Sequence, residues 1–512
     1  MRIGIDVGGT NTDAVLLDGA RLLAATKTPT TADLLSGIRT ALEGVLAHVR
    51  PEDVEVVMLG TTHFANALVQ ARGLAPVAAV RLALPSGAAL PPFVDWPQGL
   101  RGVVEGASYM LPGGYEFDGR EMAPLDPAAL RKVAREIRER GIRSVAVSSA
   151  FSPIRSDMEK AAEAIFLEEV PGVRVTLSAD IGAVGLLERE NAAILNATLV
   201  PLAEDVVDAL QGVLATSGLR CPFYLTQNDG TLMSRDYARR HPVRTISSGP
   251  TNSMRGAAFL SGIKDAVVID FGGTTTDVGV LLSGFPRPAA KTVEIAGVRI
   301  NFRMPDVYSM ALGGGSVVKV GAREVGPESV GYRLTEEALV FGGRTLTATD
   351  LAVAAGRARV GDASRAALDP ETAKDLMALV DETVASRVDQ MKPSRDPLPA
   401  VIVGGGSILA ADEIPGISEI VRPEHFEVAN AIGAAIAQVG GEIDRVFDFA
   451  SRSREEILRE ARAEACERAR AAGAGVSSVE VVELEEIPLA YLPTQGSRIR
   501  VKAVGELREV KR

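Results

Sequence analysis

One eight-residue motif occurs twice in this chain of 512 residues. Residues 6–13 read Asp-Val-Gly-Gly-Thr-Asn-Thr-Asp, and residues 270–277 read Asp-Phe-Gly-Gly-Thr-Thr-Thr-Asp, so that six of the eight positions are identical. Each copy lies between two apolar runs, a pattern that predicts a strand, a tight turn and a second strand. The motif therefore predicts two β-hairpins, and it does not fit a strand-to-helix phosphate loop.

The glycines and threonines of each hairpin suit it to bind phosphate. Glycine has no Cβ atom, so successive backbone N–H groups can approach phosphate oxygens, and threonine hydroxyls add further donors. A plain glycine turn explains a single copy equally well, but two near-identical copies favour phosphate binding. The nucleotide-binding candidates in the hairpins are Gly8, Gly9, Thr10, Thr12, Gly272, Gly273, Thr274 and Thr275.

Each copy opens with an aspartate at the end of its first strand. Asp6 and Asp270 are placed to hold the hydrated Mg²⁺ that accompanies a nucleoside triphosphate, through water because Mg²⁺ releases its hydration shell reluctantly. Two hairpins that face each other would bind one triphosphate between them. The hairpins therefore predict a nucleoside triphosphate together with Mg²⁺, and Asp6 and Asp270 are the predicted metal-binding residues.

Further short motifs occur in a fixed order along the chain. They are Gly60-Thr61-Thr62, Asn66-Ala67-Leu68, Glu188-Arg189-Glu190-Asn191, Asn196-Ala197, Gln227-Asn228-Asp229-Gly230, Ser248-Gly249-Pro250, Gly313-Gly314-Gly315-Ser316 and Gly326-Pro327-Glu328-Ser329. Each is weak evidence singly, but their order together with the twin hairpins resembles the hydantoinase A and 5-oxoprolinase family. That family is a branch of the actin-like ATPase superfamily.

This resemblance implies the fold. It indicates an α/β protein with duplicated actin-like ATPase halves, which are ribonuclease H-like, around a nucleotide cleft, and a small C-terminal α+β extension. The expected boundaries are residues 1–185, 186–445 and 446–512. Periodicity and composition predict helices over 127–140, 184–211, 369–390 and 455–472, strands over 144–149 and 400–403, and a hairpin over 476–502.

The resemblance also implies an activity. In that family ATP is thought to phosphorylate an amide or ketone oxygen, and hydrolysis or carboxylation follows, often in a partner subunit. We therefore expect a cyclic amide or ketone substrate and a hydantoinase B-type partner subunit. The chain shows no serine–histidine pair, catalytic-cysteine context or histidine metal site to activate water, which also favours a second step elsewhere.

The remaining site residues follow from the same motifs. The resemblance implies Thr61, Thr62 and Asn66 as catalytic residues with Asp6 and Asp270, and Gly313 and Gly314 beside the nucleotide. The predicted strand 400–403 ends in Gly404, Gly405 and Gly406. A glycine turn at the end of a strand suits the close approach of an adenine or ribose. A plain turn fits this last segment equally well from the residues alone.

Composition excludes other classes of function. Lys plus Arg total 55 against 66 Asp plus Glu, and no stretch joins basic with aromatic residues, so nucleic acid is not the expected partner. No run of about 18 apolar residues occurs, so no membrane partner is expected. The early Asp6 argues against a secretory signal, and Cys221 and Cys466 are far apart, so we expect a cytoplasmic protein.

Parts of the sequence depart from the family pattern and leave the substrate open. Arg81-Leu82-Ala83-Leu84-Pro85 stands where a Gly-Phe-x-Asp element is usual, and Thr251-Asn252-Ser253-Met254-Arg255-Gly256 replaces a glycine-rich stretch. A small-molecule kinase of the same superfamily and a non-catalytic ATP-driven module stay open as alternatives. His63 is expected to be packed rather than catalytic, and 452–470 is expected to be an exposed helix with ion pairs.

Overall fold

The computed structural model describes residues 1–30, 34–290, 292–366, 368–447, 449, 452–489 and 496–508. Within these ranges helices alternate with strands, which form two large sheets, an inserted sheet and two short strand pairs. The predicted α/β class is confirmed. The helices are Leu34–Leu46, His63–Gln70, Gln98–Val104, Pro127–Glu139, Asp157–Glu169, Leu186–Thr216, Arg235–Arg240, Ser248–Ser261, Leu334–Glu337, Ala348–Ala354, Pro370–Met391, Ala429–Ala435 and Arg454–Ala471.

The larger sheet contains the first predicted hairpin. Arg2–Val7 pairs antiparallel with Asn11–Asp18 and parallel with Val56–Thr61. Alternate side chains of these strands, such as Ile3 and Ile5, are fully buried in the largest core. In spatial order the sheet consists of Glu480–Pro488, Ser497–Gly505, Gln438–Phe447, Thr231–Ser234, Phe223–Thr226, Val56–Thr61, Arg2–Val7, Asn11–Asp18 and Arg21–Pro29.

The second sheet repeats the start of the first one. Ala266–Phe271 pairs antiparallel with Thr276–Leu282 and parallel with Leu398–Val403, as the first hairpin pairs with its own parallel neighbour. The motif that is repeated in the sequence is therefore repeated in the strand topology as well. In spatial order this sheet consists of Phe285–Pro286, Thr276–Leu282, Ala266–Phe271, Leu398–Val403 and Ile417–Val421, and Val307–Met310 also pairs with Thr276–Leu282.

An inserted sheet interrupts the first half of the chain. All of its pairings are parallel, and its spatial order is Glu105–Pro112, Val77–Leu84, Ser144–Ser149 and Arg174–Leu177. The strand predicted over 144–149 has the predicted bounds. Residues of Pro127–Glu139 and Asp157–Glu169 share its apolar core, because both helices carry apolar side chains at helical spacing.

Buried charged side chains form an ion pair between this inserted sheet and the helix Leu186–Thr216. Arg81 and Glu190 are both almost fully buried, and their side chains form an ion pair with an Nη2 to Oε1 distance of 2.5 Å. Arg189 is also buried and donates to the backbone carbonyl of Ala183 at 2.8 Å. The segment 188–191 is therefore structural, because a buried charge is retained only when it is paired or hydrogen-bonded.

The C-terminal strands join the larger sheet. Gln438–Phe447 pairs parallel with Thr231–Ser234 and antiparallel with Ser497–Gly505. The turn of the hairpin predicted over 476–502 lies outside the described residues, while its flanking strands are Glu480–Pro488 and Ser497–Gly505. The strand order of the sheets does not define where one domain ends and the next begins. The expected boundaries at residues 185 and 445 therefore stay predictions.

The C-terminal helix Arg454–Ala471 is not exposed on all sides. A stripe of small and apolar side chains packs into a core with the neighbouring strands; these residues are Ile457, Ala461, Ala465 and Ala469. The expected ion pairs are present on the other side chains, such as Arg468 with Glu464 four residues earlier. The prediction of an exposed helix is therefore wrong for one face, because alanine at a spacing of four residues forms an apolar face.

Candidate nucleotide-binding site

The turns of the two hairpins contact each other. The hydroxyl oxygens of Thr10 and Thr274 lie 3.1 Å apart. Each turn is closed by the same kind of backbone hydrogen bond, from the N–H of Gly8 to the carbonyl of Asn11 at 3.0 Å, and from Gly272 to Thr275 at 2.8 Å. The structure therefore brings the two predicted phosphate-binding hairpins together at one place.

Three charged residues lie side by side on adjacent strands at the first hairpin. The strand register places Lys27 opposite Asp13, Asp13 opposite Asp6, and Asp6 opposite Gly60. Residues opposite each other in adjacent strands point to the same face of a sheet. The Lys27 ammonium accordingly lies 2.9 Å from Asp13 Oδ1, which makes a charge-assisted contact beside Asp6.

Two helices supply side-chain amide donors to the carboxylates of Asp6 and Asp13. Asn252, on the helix Ser248–Ser261, donates to Asp6 Oδ1 at 3.0 Å. Asn430, on the helix Ala429–Ala435, donates to Asp6 Oδ2 at 3.1 Å and to Asp13 Oδ2 at 3.0 Å. A Cβ atom on Gly60 would lie 2.2 Å from Asp6 Oδ1, so only glycine leaves room for this network.

The second hairpin carries the corresponding row with different partners. Asp270 lies opposite Asp277, and Asp277 lies opposite Ser309, whose hydroxyl donates to the Asp277 carboxylate. The Ser253 side chain, which directly follows Asn252 in the chain, interacts with the Asp270 carboxylate and opposes the rise of its pKa. One helix turn therefore contacts the opening aspartate of each hairpin through adjacent residues.

Burial disfavours the charged form of these four aspartates. Desolvation raises the pKa of Asp6 to about 7 and the pKa of Asp277 to about 7. Desolvation also raises the pKa of Asp13 and of Asp270, and the nearby Lys27 ammonium opposes both shifts. A group of carboxylates with a single neighbouring ammonium suits a further cation, whose charge would favour the ionised forms.

Both glycine segments predicted to contact the nucleotide lie against the second hairpin. Gly314 and Gly315 donate to the carbonyls of Gly272 and Gly273, at 3.1 and 2.7 Å. Gly406 donates to the carbonyl of Phe271 at 2.6 Å. The structure thus brings the predicted residues Gly313, Gly314, Gly404 and Gly406 to this hairpin, whereas a Cβ atom on Gly405 would lie 3.7 Å from Lys27 Cε, beside the first hairpin. Their contacts with a nucleotide stay a prediction.

The predicted catalytic residues Thr61, Thr62 and Asn66 lie beside the first hairpin, at the start of His63–Gln70. The hydroxyl of Thr62 donates to the carbonyl of Val7 at 3.2 Å, and the Asn66 amide reaches that hydroxyl at 3.4 Å. Thr61 Oγ1 accepts from the His63 N–H at 3.1 Å. The structure therefore places these residues next to Gly8, and their catalytic roles stay predictions.

Some predicted residues are placed away from the contact between the turns. Thr12 is fully buried, and its hydroxyl lies 3.3 Å from that of Thr30 within the same sheet. His63 is half-buried with its ring edge against Phe64, and desolvation lowers its pKa. His63 is therefore packed, as expected, and the expectation that it is not a catalytic base stays a prediction.

Sequence reasoning missed functional candidates of two kinds. Asp13 and Asp277 close the repeated motif, and hairpin symmetry about the turn would have paired them with the opening aspartates. Lys27, Asn252 and Asn430 had no local signal, because each reaches the carboxylates from a separate element.

Neither a metal cluster nor a membrane-spanning helix occurs among the described residues. In the described part of the chain, no group of three or more His, Cys, Asp and Glu side chains is arranged to hold a metal ion. None of the helices within the described ranges combines the length and apolar character needed to cross a membrane.

The two sheets, each of which begins with one of the paired hairpins, form a duplicated α/β fold of the actin-like ATPase type. Sequence models agree: one for the hydantoinase/oxoprolinase N-terminal region matches residues 2–170, and one for hydantoinase/oxoprolinase matches residues 189–367. Together these ranges cover more than half of the chain. The chain belongs to the hydantoinase/oxoprolinase family, as its motifs predicted.

Two curated relatives are 27% and 29% identical to the chain over the aligned regions. The acetophenone carboxylase gamma subunit of Aromatoleum aromaticum is 29% identical over an alignment of 391 residues that covers 69% of this chain and 53% of that protein. The caprolactamase subunit alpha of Pseudomonas jessenii is 27% identical over an alignment of 390 residues that covers 69% of this chain and 54% of that protein. The chain thus spans about half the length of these relatives.

Solved structures show the same fold. The ATP-dependent caprolactamase of Pseudomonas jessenii superposes with a TM-score of 0.79 at 20% identity, over 99% of this chain and 88% of that one. Nucleotide-free acetone carboxylase superposes with a TM-score of 0.71 at 19% identity, over 100% of this chain and 88% of that one. The fold predicted from the motifs is therefore confirmed.

Proposed function

We propose that the chain binds one Mg²⁺–ATP between its two hairpins and phosphorylates the carbonyl oxygen of a cyclic amide or a ketone. Family membership supports an ATP-using enzyme of this kind. Among the relatives, one is named a carboxylase of acetophenone, a ketone, and another a lactamase of caprolactam, a cyclic amide. For this chain we favour ATP-dependent hydrolysis of a cyclic amide C–N bond.

The contact between Thr10 and Thr274 is the observation on which the proposal chiefly depends. Glycine-rich turns that meet at 3.1 Å leave their remaining N–H and hydroxyl donors around a common space. Phosphoryl transfer needs mainly positioning and neutralisation of charge. Two turns that bind one polyphosphate from opposite sides would supply the positioning.

The residues present fit a magnesium ion. Asp6 and Asp270 sit at corresponding positions of the two hairpins, and adjacent side chains of one helix contact them. Mg²⁺ commonly uses one or two carboxylates together with water and phosphate oxygens, so a cluster of three protein ligands is not required. When bound, Mg²⁺ would neutralise charge on the phosphates.

Lys27 would supply a second positive charge. Its Nζ donates to the carbonyl of Glu427 at 2.9 Å as well as contacting Asp13, so it links the first hairpin to the segment just before the helix Ala429–Ala435, and a Cβ atom on Gly405 would lie 3.9 Å from it. In the proposed reaction the carbonyl oxygen forms a bond to the γ-phosphorus. The bond to the bridging oxygen breaks, and ADP leaves.

A partner subunit is proposed for the second step. The two relatives are named as subunits, and the chain spans about half of their length. A phosphorylated amide or enol is labile in water, so a docked subunit of the hydantoinase B type would shield it and place it near its next reactant. The isolated chain should then hydrolyse ATP slowly or without coupling.

Turnover measurements test this function. ATP hydrolysis by the full chain is measured with and without a candidate partner, across hydantoins, oxoproline, lactams and ketones. Stimulation that requires both the partner and one substrate class supports the proposal. In the same assay Asp270→Asn should lose turnover. Asp265→Asn is its matched control, because Asp265 is exposed and precedes the same strand. If the chain alone opens a lactam with one ATP consumed per ring, the two-subunit proposal is wrong.

A further inference from the structure

The loop 227–230, one of the short motifs of the sequence, packs against the helix Ser248–Ser261. The hydroxyl of Thr251, on this helix, donates to the backbone carbonyl of Asn228 at 2.8 Å. A Cβ atom on Gly230 would lie 3.1 Å from Thr251 Cγ2, so glycine permits the close approach of loop and helix. The loop therefore supports the helix at its first turns.

The same loop is held by Lys502, on the C-terminal strand Ser497–Gly505. Its Nζ donates to the backbone carbonyl of Asp229 at 2.9 Å and lies 2.9 Å from Asp229 Oδ2. The two side chains are only 5% and 15% exposed. Asp229 Oδ1 also accepts from the N–H of Thr231 at 3.0 Å, which fixes the carboxylate. Because removing one partner of a buried ion pair is costly, this pair ties the strand firmly to the loop.

A second contact links Lys502 to the same helix. Lys502 Nζ lies 5.1 Å from the centre of the Phe285 ring, and the Arg255 guanidinium carbon lies 3.9 Å from that centre. Arg255 belongs to the helix and also donates to the carbonyl of Gly284 at 2.7 Å. Cations are attracted to the face of an aromatic ring. Lys502 is thus joined to the helix through Asp229 and its loop and also through Phe285.

The supported part of the helix carries the side chains that reach the opening aspartates of both hairpins. Asn252 donates to Asp6 Oδ1 at 3.0 Å, and the Ser253 side chain interacts with the Asp270 carboxylate. Both residues directly follow Thr251, which bonds to the loop. Hydrogen bonds weaken steeply when their geometry is lost. A small shift of this helix would therefore release both carboxylates from their present orientation.

We infer that Lys502 is a positioning residue for the magnesium ion of the nucleotide site. Lys502 keeps the loop in place, the loop keeps the helix in place, and the helix aims Asn252 and Ser253 at the opening aspartates. This inference rests on the proposed function, since it assumes that those aspartates hold Mg²⁺. Groups that orient metal-binding side chains contribute to metal affinity without touching the metal. Lys502 therefore contributes to the part of the nucleotide affinity that Mg²⁺ supplies, and not to the remainder.

Calorimetry on the full chain tests this role. Affinity for ADP is measured with Mg²⁺ and with EDTA, and the ratio of the two is the gain from Mg²⁺. Lys502→Met removes the ammonium but leaves the Asp229 charge unpaired. The double variant Asp229→Asn/Lys502→Met removes both charges, so that it folds even if the single variant does not. Arg500→Met is the matched control, because Arg500 lies on the same strand and pairs with Asp444 and Glu485 instead of with the loop.

The single and the double variant should bind ADP in EDTA like the wild type, and each should lose roughly tenfold of the gain from Mg²⁺. Arg500→Met should keep that gain. In an Asn252→Ala background, Lys502→Met should cost less than it does in the wild type, because the lysine acts through that amide.

Three results would overturn the positioning role. They are a full gain from Mg²⁺ in the folded double variant, an equal loss with and without Mg²⁺, and an undiminished cost of Lys502→Met in the Asn252→Ala background. Failure of the proposed function is distinguishable from these results, because it shows in the wild type. A wild-type chain that binds no ADP, or that gains nothing from Mg²⁺, overturns the proposed nucleotide site itself.

Discussion

The two hairpins have nearly the same sequence but different surroundings. Both turns are closed by the same backbone hydrogen bond, and both stems pair one aspartate with another. The carboxylates of the first hairpin contact an ammonium and two amide groups, from Lys27, Asn252 and Asn430. Within the described part of the chain, those of the second contact hydroxyl groups, from Ser253 and Ser309. The repeated motif therefore forms the same turn twice, whereas the groups that contact its carboxylates come from other elements and differ in charge.

This difference assigns unequal tasks to the hairpins. The first hairpin already has a cation, so its carboxylates are partly neutralised within the chain. The second hairpin lies against two glycine segments and has no ion pair to its aspartates among the described residues. We therefore expect the second hairpin to depend more on a bound metal ion, and the following variants test that contrast.

The largest effect is expected from Asp270→Asn. An amide keeps the shape of the side chain and the Ser253 contact but removes the charge that would offset Mg²⁺. Turnover of ATP should fall on the order of 10²-fold or more, with the fold retained. Asp265→Asn should leave turnover unchanged. Asp6→Asn should also lose turnover, and near-wild-type rates in both Asp6→Asn and Asp270→Asn would reject their assignment.

Neutralising the closing aspartates should change stability in opposite directions. Asp13→Asn leaves Lys27 without its partner and should lower the free energy of unfolding by about 2 kcal/mol. Asp277→Asn removes a carboxylate that has no partner cation and should raise it by about 1 kcal/mol. Chemical denaturation at pH 8 without nucleotide measures both. A loss of similar size in the two variants would show that the hairpins are not different in charge.

Removing the ammonium should weaken nucleotide binding. Lys27→Met keeps most of the aliphatic stem but loses the charge near Gly405 and the phosphates. Affinity for ADP should fall about tenfold, as for a lost charged hydrogen bond. Lys264→Met is the matched control, because Lys264 is exposed at the opposite end of the second hairpin. If the two variants bind ADP equally well, Lys27 belongs to the fold and not to the site.

The smallest effect is expected at the contact between the turns. Thr10→Val and Thr274→Val each remove the same hydrogen bond, so each should weaken ADP binding about fivefold. The double variant should be little worse than either single variant, because both changes break one interaction. Calorimetric affinities of the three variants measure this. Fully additive losses would mean that the hydroxyls act separately and that the turns do not cooperate.

Local parts of the fold were predictable from the sequence. The hairpin strands follow from apolar runs around glycine, and the helix predicted over 127–140 is observed as Pro127–Glu139, with Asp126 capping its first turn. The helix predicted over 184–211 continues to Thr216, because apolar residues such as Val213 and Leu214 extend its buried face. Periodicity within one element is sufficient for such predictions.

Long-range parts of the site were not predictable in this way. Glu190 looks like a solvated helix charge until Arg81, 109 residues earlier, is seen buried against it. Asn430 donates a hydrogen bond to Asp6, which lies 424 residues earlier in the chain. The sequence around Asn430 gives no sign of this contact. Such contacts depend on how the elements pack, which a local pattern does not contain.

Titration calorimetry of the full chain with ATP tests the central claim most directly, that two hairpins bind one nucleotide. We expect a single site per chain that requires Mg²⁺ and that is weakened by a change in either hairpin, Asp6→Asn or Asp270→Asn. Two independent sites, each sensitive to one hairpin alone, would contradict shared binding. A folded chain that does not bind ATP, ADP or their analogues would contradict nucleotide binding altogether.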